Sequence, residues 1–124
     1  MSNLQYSINA NATKGPFSSS LLSGSITAVM NSAGFLAQTL NLGTTTTSVT
    51  TASASALGFA FLRNISTSTA ATATVSFGRL VGTTLHEVVR LRPSEVAFLR
   101  LAPGDYAARA ATSNLPMTLQ ILED

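Results

Sequence analysis

The sequence predicts an all-β protein: a single-domain antiparallel β-sandwich, jelly-roll-like, of about eight to ten short strands. Three observations lead there. Apolar and polar residues alternate in short runs, as in Leu4-Gln5-Tyr6-Ser7-Ile8 and Thr74-Val75-Ser76-Phe77, the period of a half-buried strand. Turn signals recur roughly every eight to twelve residues, the spacing of a sandwich or barrel. No stretch keeps a helical period between capping residues. At 124 residues the chain is one domain's worth, able to bury about two-thirds of its unfolded surface. Residues 1–124 read as a single sandwich domain, with residues 1–20 open to reading as an extended N-terminal arm.

Taken in order, the first strand is Leu4–Ile8. Lys14-Gly15-Pro16-Phe17 and the serines after it read as a loop. Ser25–Met30 and Phe35–Leu42 follow as strands, with a turn at Asn31–Gly34 between them. Threonine tolerates a solvated strand face, so Ser48–Thr51 reads as a short exposed strand, and 52–55 as a loop. Leu57-Gly58-Phe59-Ala60-Phe61-Leu62-Arg63-Asn64 is apolar on both alternating faces, as a central strand covered on both sides would be. Ile65–Ala71 is a Ser/Thr loop, and Thr74–Gly78 resumes the alternation with Val75 and Phe77 inward. Leu115–Glu123 closes the chain, with Pro116 at a strand start or an edge.

The stretch Val88–Ala111 shows the plan most clearly, with two Pro-bearing turns, Arg92-Pro93-Ser94-Glu95 and Ala102-Pro103-Gly104-Asp105. Proline suits the second position of a type I or II turn. Read as hairpin loops, the turns set Leu91 opposite Val96, Val89 opposite Phe98, Glu87 opposite Arg100, and Leu101 opposite Tyr106. Alternation then puts Val88, Ala97, Leu99, Leu101, Tyr106 and Ala110 on the core side. The other side gathers Val89, Leu91, Val96 and Phe98 among Glu87, Arg100 and Arg109. Types I and II splay a two-residue hairpin, so a corner between sheets is the competing geometry and would exchange faces.

Charged residues are 10% of the chain, against a usual value of about 25%. Serine and threonine together make up about a quarter of it. That balance suits a surface largely in contact with other protein. A net charge of +2 makes no nucleic-acid footprint. The chain has no cysteine, so disulfide and thiolate chemistry are excluded. No apolar run approaches the roughly 20 residues of a membrane helix, and Met1–Gly15 lacks the basic and apolar regions of a signal peptide. A soluble protein made in a host cytoplasm is expected. Before Arg63 the only charged side chain is Lys14, which leaves strand edges there little protection against pairing with another chain.

No catalytic chemistry announces itself. His86 is the only histidine, and its neighbour Glu87 points to the opposite face of a strand. No nucleophile elbow frames a serine, and one histidine with five acidic residues offers no zinc or calcium spacing. No catalytic, cofactor or metal residue is expected. Six arginines supply every positive side chain except Lys14, and arginine favours planar pairing across protein interfaces. The sequons at Asn11 and Asn64 are expected by chance in so Ser/Thr-rich a chain.

From residue 57 onward the chain resembles small all-β virion structural proteins of tailed bacteriophages. Three stretches carry the resemblance: Leu57–Asn64, a Gly-bearing strand ending in Arg-Asn; Leu91–Leu101, a Pro turn leading into an apolar strand; and Leu119-Gln120-Ile121-Leu122-Glu123-Asp124, a last strand ending on acids. Ser94 stands where glycine is usual in such a turn. The resemblance implies a non-enzymatic homo-oligomer that decorates or cements a capsid at the particle surface. Its partners would be further copies of itself and other virion proteins such as the major capsid protein, with no membrane, no nucleic acid and no cofactor. A head–tail or tail component, or a fibre-type module recognising a host-surface glycan, is the alternative. The interface residues expected from the face analysis are Val89, Leu91, Val96, Phe98, Arg100 and Arg109.

Overall fold

The structure is a computed structural model that describes residues 2–30, 34–49, 57–112 and 114–124. These residues form twelve strands and no helix, and every paired strand runs antiparallel. They fall into two compact units, Met1–Ala33 and Gly34–Asp124.

The first unit is built from β1 (Ser2–Tyr6), β2 (Asn9–Lys14), β3 (Phe17–Leu22) and β4 (Ile26–Met30). β1 pairs with β4 from Ser2↔Met30 to Tyr6↔Ile26, and β2 pairs with β3 from Asn9↔Leu22 to Lys14↔Phe17. The join is held by Ser23, whose backbone N–H donates to the Ile8 carbonyl at 3.0 Å and whose hydroxyl accepts from the Ile8 N–H at 2.8 Å. The β2–β3 turn is Gly15-Pro16, with Gly15 at φ 56°. Glycine at positive φ followed by proline fits a type II′ turn, whose twist matches a hairpin. The loop expected at Lys14–Ser20 is therefore a hairpin tip and the start of β3. Gly-Pro does not separate two elements here: its handedness makes it the turn within one.

The second unit holds β5 (Phe35–Leu42), β6 (Thr47–Val49), β7 (Leu57–Asn64), β8 (Val75–Val81), β9 (Thr84–Leu91), β10 (Val96–Arg100), β11 (Tyr106–Ala110) and β12 (Leu115–Glu123). They make two four-stranded sheets, ordered β10-β7-β12-β5 and β6-β11-β8-β9. Leu42, Leu62, Met117, Leu119 and Ile121 from the first sheet meet Val75, Phe77, Leu91, Tyr106 and Ala108 from the second in one buried cluster. This is an all-β sandwich, as the sequence predicts. The strands expected at Phe35–Leu42, Leu57–Asn64 and Leu115–Glu123 stand at those bounds. Most of the turn expected at Asn31–Gly34, the end of the strand expected at Ser48–Thr51 and the loop at 52–55 lie outside the described residues.

The three-stranded meander expected over Val88–Ala111 is not formed. β9 pairs with β8, β10 with β7, and β11 with β6 and β8. Both Pro turns are corners that carry the chain from one sheet to the other. Ser94 takes φ 69°, and the Glu95 N–H donates to the Arg92 carbonyl at 3.1 Å, the geometry of a type II turn. Such a turn splays its flanking strands, so they enter different layers. Serine pays the left-handed penalty that glycine would avoid, and the Glu95 carboxylate supports the corner by accepting the Arg92 N–H at 2.7 Å. At the second corner the Tyr106 hydroxyl donates to the Ala102 carbonyl at 2.5 Å. Gly104 there has φ 146°, and a Cβ would lie 2.3 Å from the Arg79 guanidinium, which itself lies over the Tyr106 ring.

Among the described residues of the second unit β8 and β9 are the only sequence neighbours that pair, and their ladder slips at Phe77/Gly78. A Cβ on Gly78 would sit 1.9 Å from the His86 carbonyl oxygen, so the slip depends on glycine. Beyond it Val89 and Leu91 turn into the core, while Val88 is 67% exposed. The expected faces of this strand are thus exchanged.

One polar side chain ties the layers together. Asn64, at the end of β7, is fully buried. Its amide nitrogen donates to the Ala73 carbonyl at 3.0 Å and to the Leu91 carbonyl at 3.1 Å. Its amide oxygen accepts the Ser66 N–H at 3.0 Å. The Asn64 backbone bonds the Pro93 corner, from its N–H to the Glu95 carbonyl at 3.1 Å and from the Ser94 N–H to its carbonyl at 2.8 Å. Removing the amide takes a hydrogen bond from each of two carbonyls and strips the Ser66 N–H of its acceptor, and a buried group left unsatisfied costs about 1–3 kcal/mol. Asn64→Ala is therefore expected to lose about 3 kcal/mol in urea denaturation. Asn64→Asp should lose at least as much despite its matching shape, because a carboxylate cannot donate to the two carbonyls. A silent Asp variant would mean that shape alone matters at this position.

Candidate functional site

The outward side of the β10-β7-β12-β5 sheet carries the best-defined constellation of surface side chains. Pairing of β10 with β7 sets Val96 beside Arg63, Phe98 beside Phe61 and Arg100 beside Phe59. β12 continues the rows with Thr118 next to Arg63 and Gln120 next to Phe61. All of these alternate with inward Ala60, Leu62, Ala97 and Leu99, so the sandwich core itself aims them outward.

Phe98 stacks on Phe59 with centroids 5.0 Å apart and an interplanar angle of 8°, and meets Phe61 at 6.4 Å and 56°. The Arg100 guanidinium lies 4.6 Å from the Phe59 centroid and bonds the Asp124 carboxylate at 3.0 Å. Each favourable ring pair contributes roughly 0.5–1.5 kcal/mol beyond its area, so the three rings and the guanidinium form a pre-shaped plate. Phe98 and Arg100 reduce Phe59 to 6% exposure, while Phe61 stays 37% and Val96 54% exposed. Phe35, opposite Leu122 on the edge strand β5, is 59% exposed. The result is an apolar surface flanked by Arg63 and by the Arg100–Asp124 pair.

The structure divides the six expected interface residues. Val96, Phe98 and Arg100 stand together on this plate. Val89 and Leu91 belong to the sandwich core, because the Pro93 corner sends β9 to the other sheet. Arg109 is exposed on β11, beside Ser76 of β8, and so lies on the second sheet. Phe59 and Phe61 were not singled out from the sequence, although apolar residues on both faces of Leu57–Asn64 were the signal for them. His86 is exposed on β9, opposite Arg79. Among the described residues no group of three His, Cys, Asp or Glu side chains is placed to hold a metal ion. The Asn64 sequon has its amide fully engaged in the core.

The outer surface of the second sheet is charged instead. Glu87, expected opposite Arg100, instead pairs with Arg90, whose Nε donates to it at 2.6 Å and Nη2 at 3.1 Å. The Arg90 hydrogen bond lowers the Glu87 carboxyl below its ordinary value against the opposing effect of burial, with the Arg90 charge, Ser76 and Arg109 adding to the lowering.

Comparison with protein-family models, with curated proteins and with solved structures returned no match.

Because the folded state lowers the Glu87 pKa, its contribution to stability is present above the ordinary glutamate range and is lost as pH falls through the folded value. Glu87→Gln should therefore flatten the pH dependence of stability over the acid limb, below about pH 4.3, and leave its shape unchanged above pH 6. Denaturation midpoints across pH 2–7 check this, and parallel curves for the two chains would contradict it.

Proposed function

We propose that this chain is a non-enzymatic structural subunit of a virion, a capsid decoration or cement protein of the tailed-phage kind, which works by packing against copies of itself and other particle proteins. The observation that carries the reading is the open plate of Phe61, Phe98 and Val96 rimmed by Arg63 and Arg100. Contiguous exposed apolar surface marks contact sites, and aromatic residues with arginine are the composition of interface centres. The plate is held rigid by the β-ladder beneath it, which suits docking with little ordering cost.

Strand order supports the same reading. Counted one to eight within the second unit, the sheets run 6-3-8-1 and 2-7-4-5. We read that order as jelly-roll-like, an arrangement used by viral capsid and lectin domains among others. Fold alone does not choose among those uses; the aromatic plate supports the virion reading, and the resemblance of residues 57–124 to phage structural proteins motivates it. The low charge content agrees with a chain that spends its working life against other protein surfaces.

Mass spectrometry of purified particles should find the chain in many copies. Phe98→Ala should weaken association by about 2 kcal/mol, near thirtyfold in Kd, in sedimentation experiments, with the far-UV spectrum unchanged. His86→Ala should leave both association and spectrum as they are. Phe98-dependent binding to immobilised glycans by a chain absent from particles would replace this reading with a carbohydrate-recognition one. Loss of the β-signal in Phe98→Ala would place Phe98 in the monomer's own stability.

A further inference from the structure

The hairpin of β2 and β3 is exposed at every position. Phe17, Leu21 and Leu22 are 60%, 63% and 68% exposed. A two-stranded hairpin is marginal in water, and a third strand or a packed face is what stabilises it. Protective devices at sheet edges are charges, prolines or bulges, and β3, Phe17-Ser18-Ser19-Ser20-Leu21-Leu22, carries none of them.

The geometry points to a β-ladder between two copies of this chain, in which β3 pairs antiparallel with β3 of a second copy about a twofold axis at Ser19. The Gly15-Pro16 turn makes Lys14–Phe17 the hydrogen-bonded closing pair of the hairpin, and hydrogen-bonded pairs alternate with non-bonded ones. Phe17, Ser19 and Leu21 therefore spend their N–H and C=O groups on β2. Ser18, Ser20 and Leu22 present theirs outward. An antiparallel partner must match outward groups with outward groups, which restricts the register to even offsets. Among these, the axis at Ser19 alone sets Phe17 against Leu21 of the second copy, twice over, and Ser18 against Ser20. Moving the axis to Ser18 or Ser20 sets each apolar residue against serine or the turn.

Charge favours the same occupant. Lys14 is the only charged residue of the first unit, and in the four-stranded sheet its two copies stand on the outer strands. Three strand spacings of about 4.8 Å and four residues of about 3.4 Å separate them by roughly 20 Å, twice the Debye length of about 10 Å at 0.1 M salt. Nothing else on the hairpin opposes its own copy. A six-residue edge falls short of the roughly 800 Å² per partner that a stable interface buries. This ladder is thus a weak, concentration-dependent contact that forms without help from the aromatic plate. It rests on the proposed function only for the expectation of self-association, and it uses a different surface.

The absence of native cysteine makes the test direct. Ser19 and its copy would form a non-bonded pair with Cα atoms about 4.5 Å apart, inside the disulfide range of about 4.4–6.8 Å. Full-length Ser19→Cys, mildly oxidised, is expected to run as a covalent dimer under non-reducing denaturing conditions. Asn11→Cys on the β2 edge should give at least tenfold less dimer at equal concentration. Adding Ser20→Pro removes an outward N–H without breaking a hairpin bond and should suppress the Ser19→Cys dimer, while adding Phe98→Ala should leave it. Equal yields from the two cysteine variants, no dimer from Ser19→Cys, or indifference to Ser20→Pro would overturn the ladder. Loss of the dimer on Phe98→Ala would do the same, because the hairpin would then depend on the plate, whereas failure of Phe98→Ala to weaken association bears on the plate alone.

Discussion

The sandwich depends on the hydrogen bonds of a single buried amide. Asn64 ends a central strand of one sheet, and its side chain holds the carbonyl of Ala73, just before β8, and that of Leu91 at the end of β9, both strands of the other sheet. Its backbone meanwhile clamps the corner that takes the chain from β9 to β10. A buried amide costs several kcal/mol when unsatisfied and specifies one arrangement when satisfied. Here both donors and the acceptor are used, so the spacing and register of the two layers are fixed at one end by polar groups. The apolar core between them would tolerate sliding.

The rest of the second unit follows from corners rather than hairpins. Proline followed by a residue at positive φ produces turns of the wrong twist for a tight hairpin, and both Pro corners deliver consecutive strands to opposite sheets. Every sheet neighbour in this unit except β8–β9 is therefore a long-range pairing. That organisation leaves the strands β10 and β7 side by side, with Phe98 on Phe59 and Phe61, although these rings belong to strands far apart in the chain. Outward rings brought together in this way are a property of the topology, and no segment of sequence contains them.

The two surfaces proposed as contacts differ in kind. The plate on the β10-β7-β12-β5 sheet offers rings and a guanidinium already packed on one another, so it fits shape and apolar burial. The β3 edge offers outward backbone groups together with exposed Phe17 and Leu21, so it fits a ladder. Rigid side-chain contact and strand addition are complementary modes, and a subunit with both can make two independent contacts with its neighbours.

Much was legible in the sequence alone. Alternation and turn spacing determined the all-β class, the bounds of Phe35–Leu42, Leu57–Asn64 and Leu115–Glu123, and the inward set Leu101, Tyr106 and Ala110. Those features are local, since a strand's period and its flanking turns are written in neighbouring residues. Val96, Phe98 and Arg100 share an outward face for the same reason: they lie two residues apart on one strand. Tertiary structure decided which strand lies beside which. Leu91 and Val89 were assigned to the face of Phe98 by treating Pro93-Ser94 as a hairpin, and they went to the core because a type II turn with Ser94 left-handed is a corner. Whether a turn returns the chain to the same sheet depends on its handedness and on what waits to pair with the next strand, and only the second sheet, assembled from residues 47 to 110, could settle that.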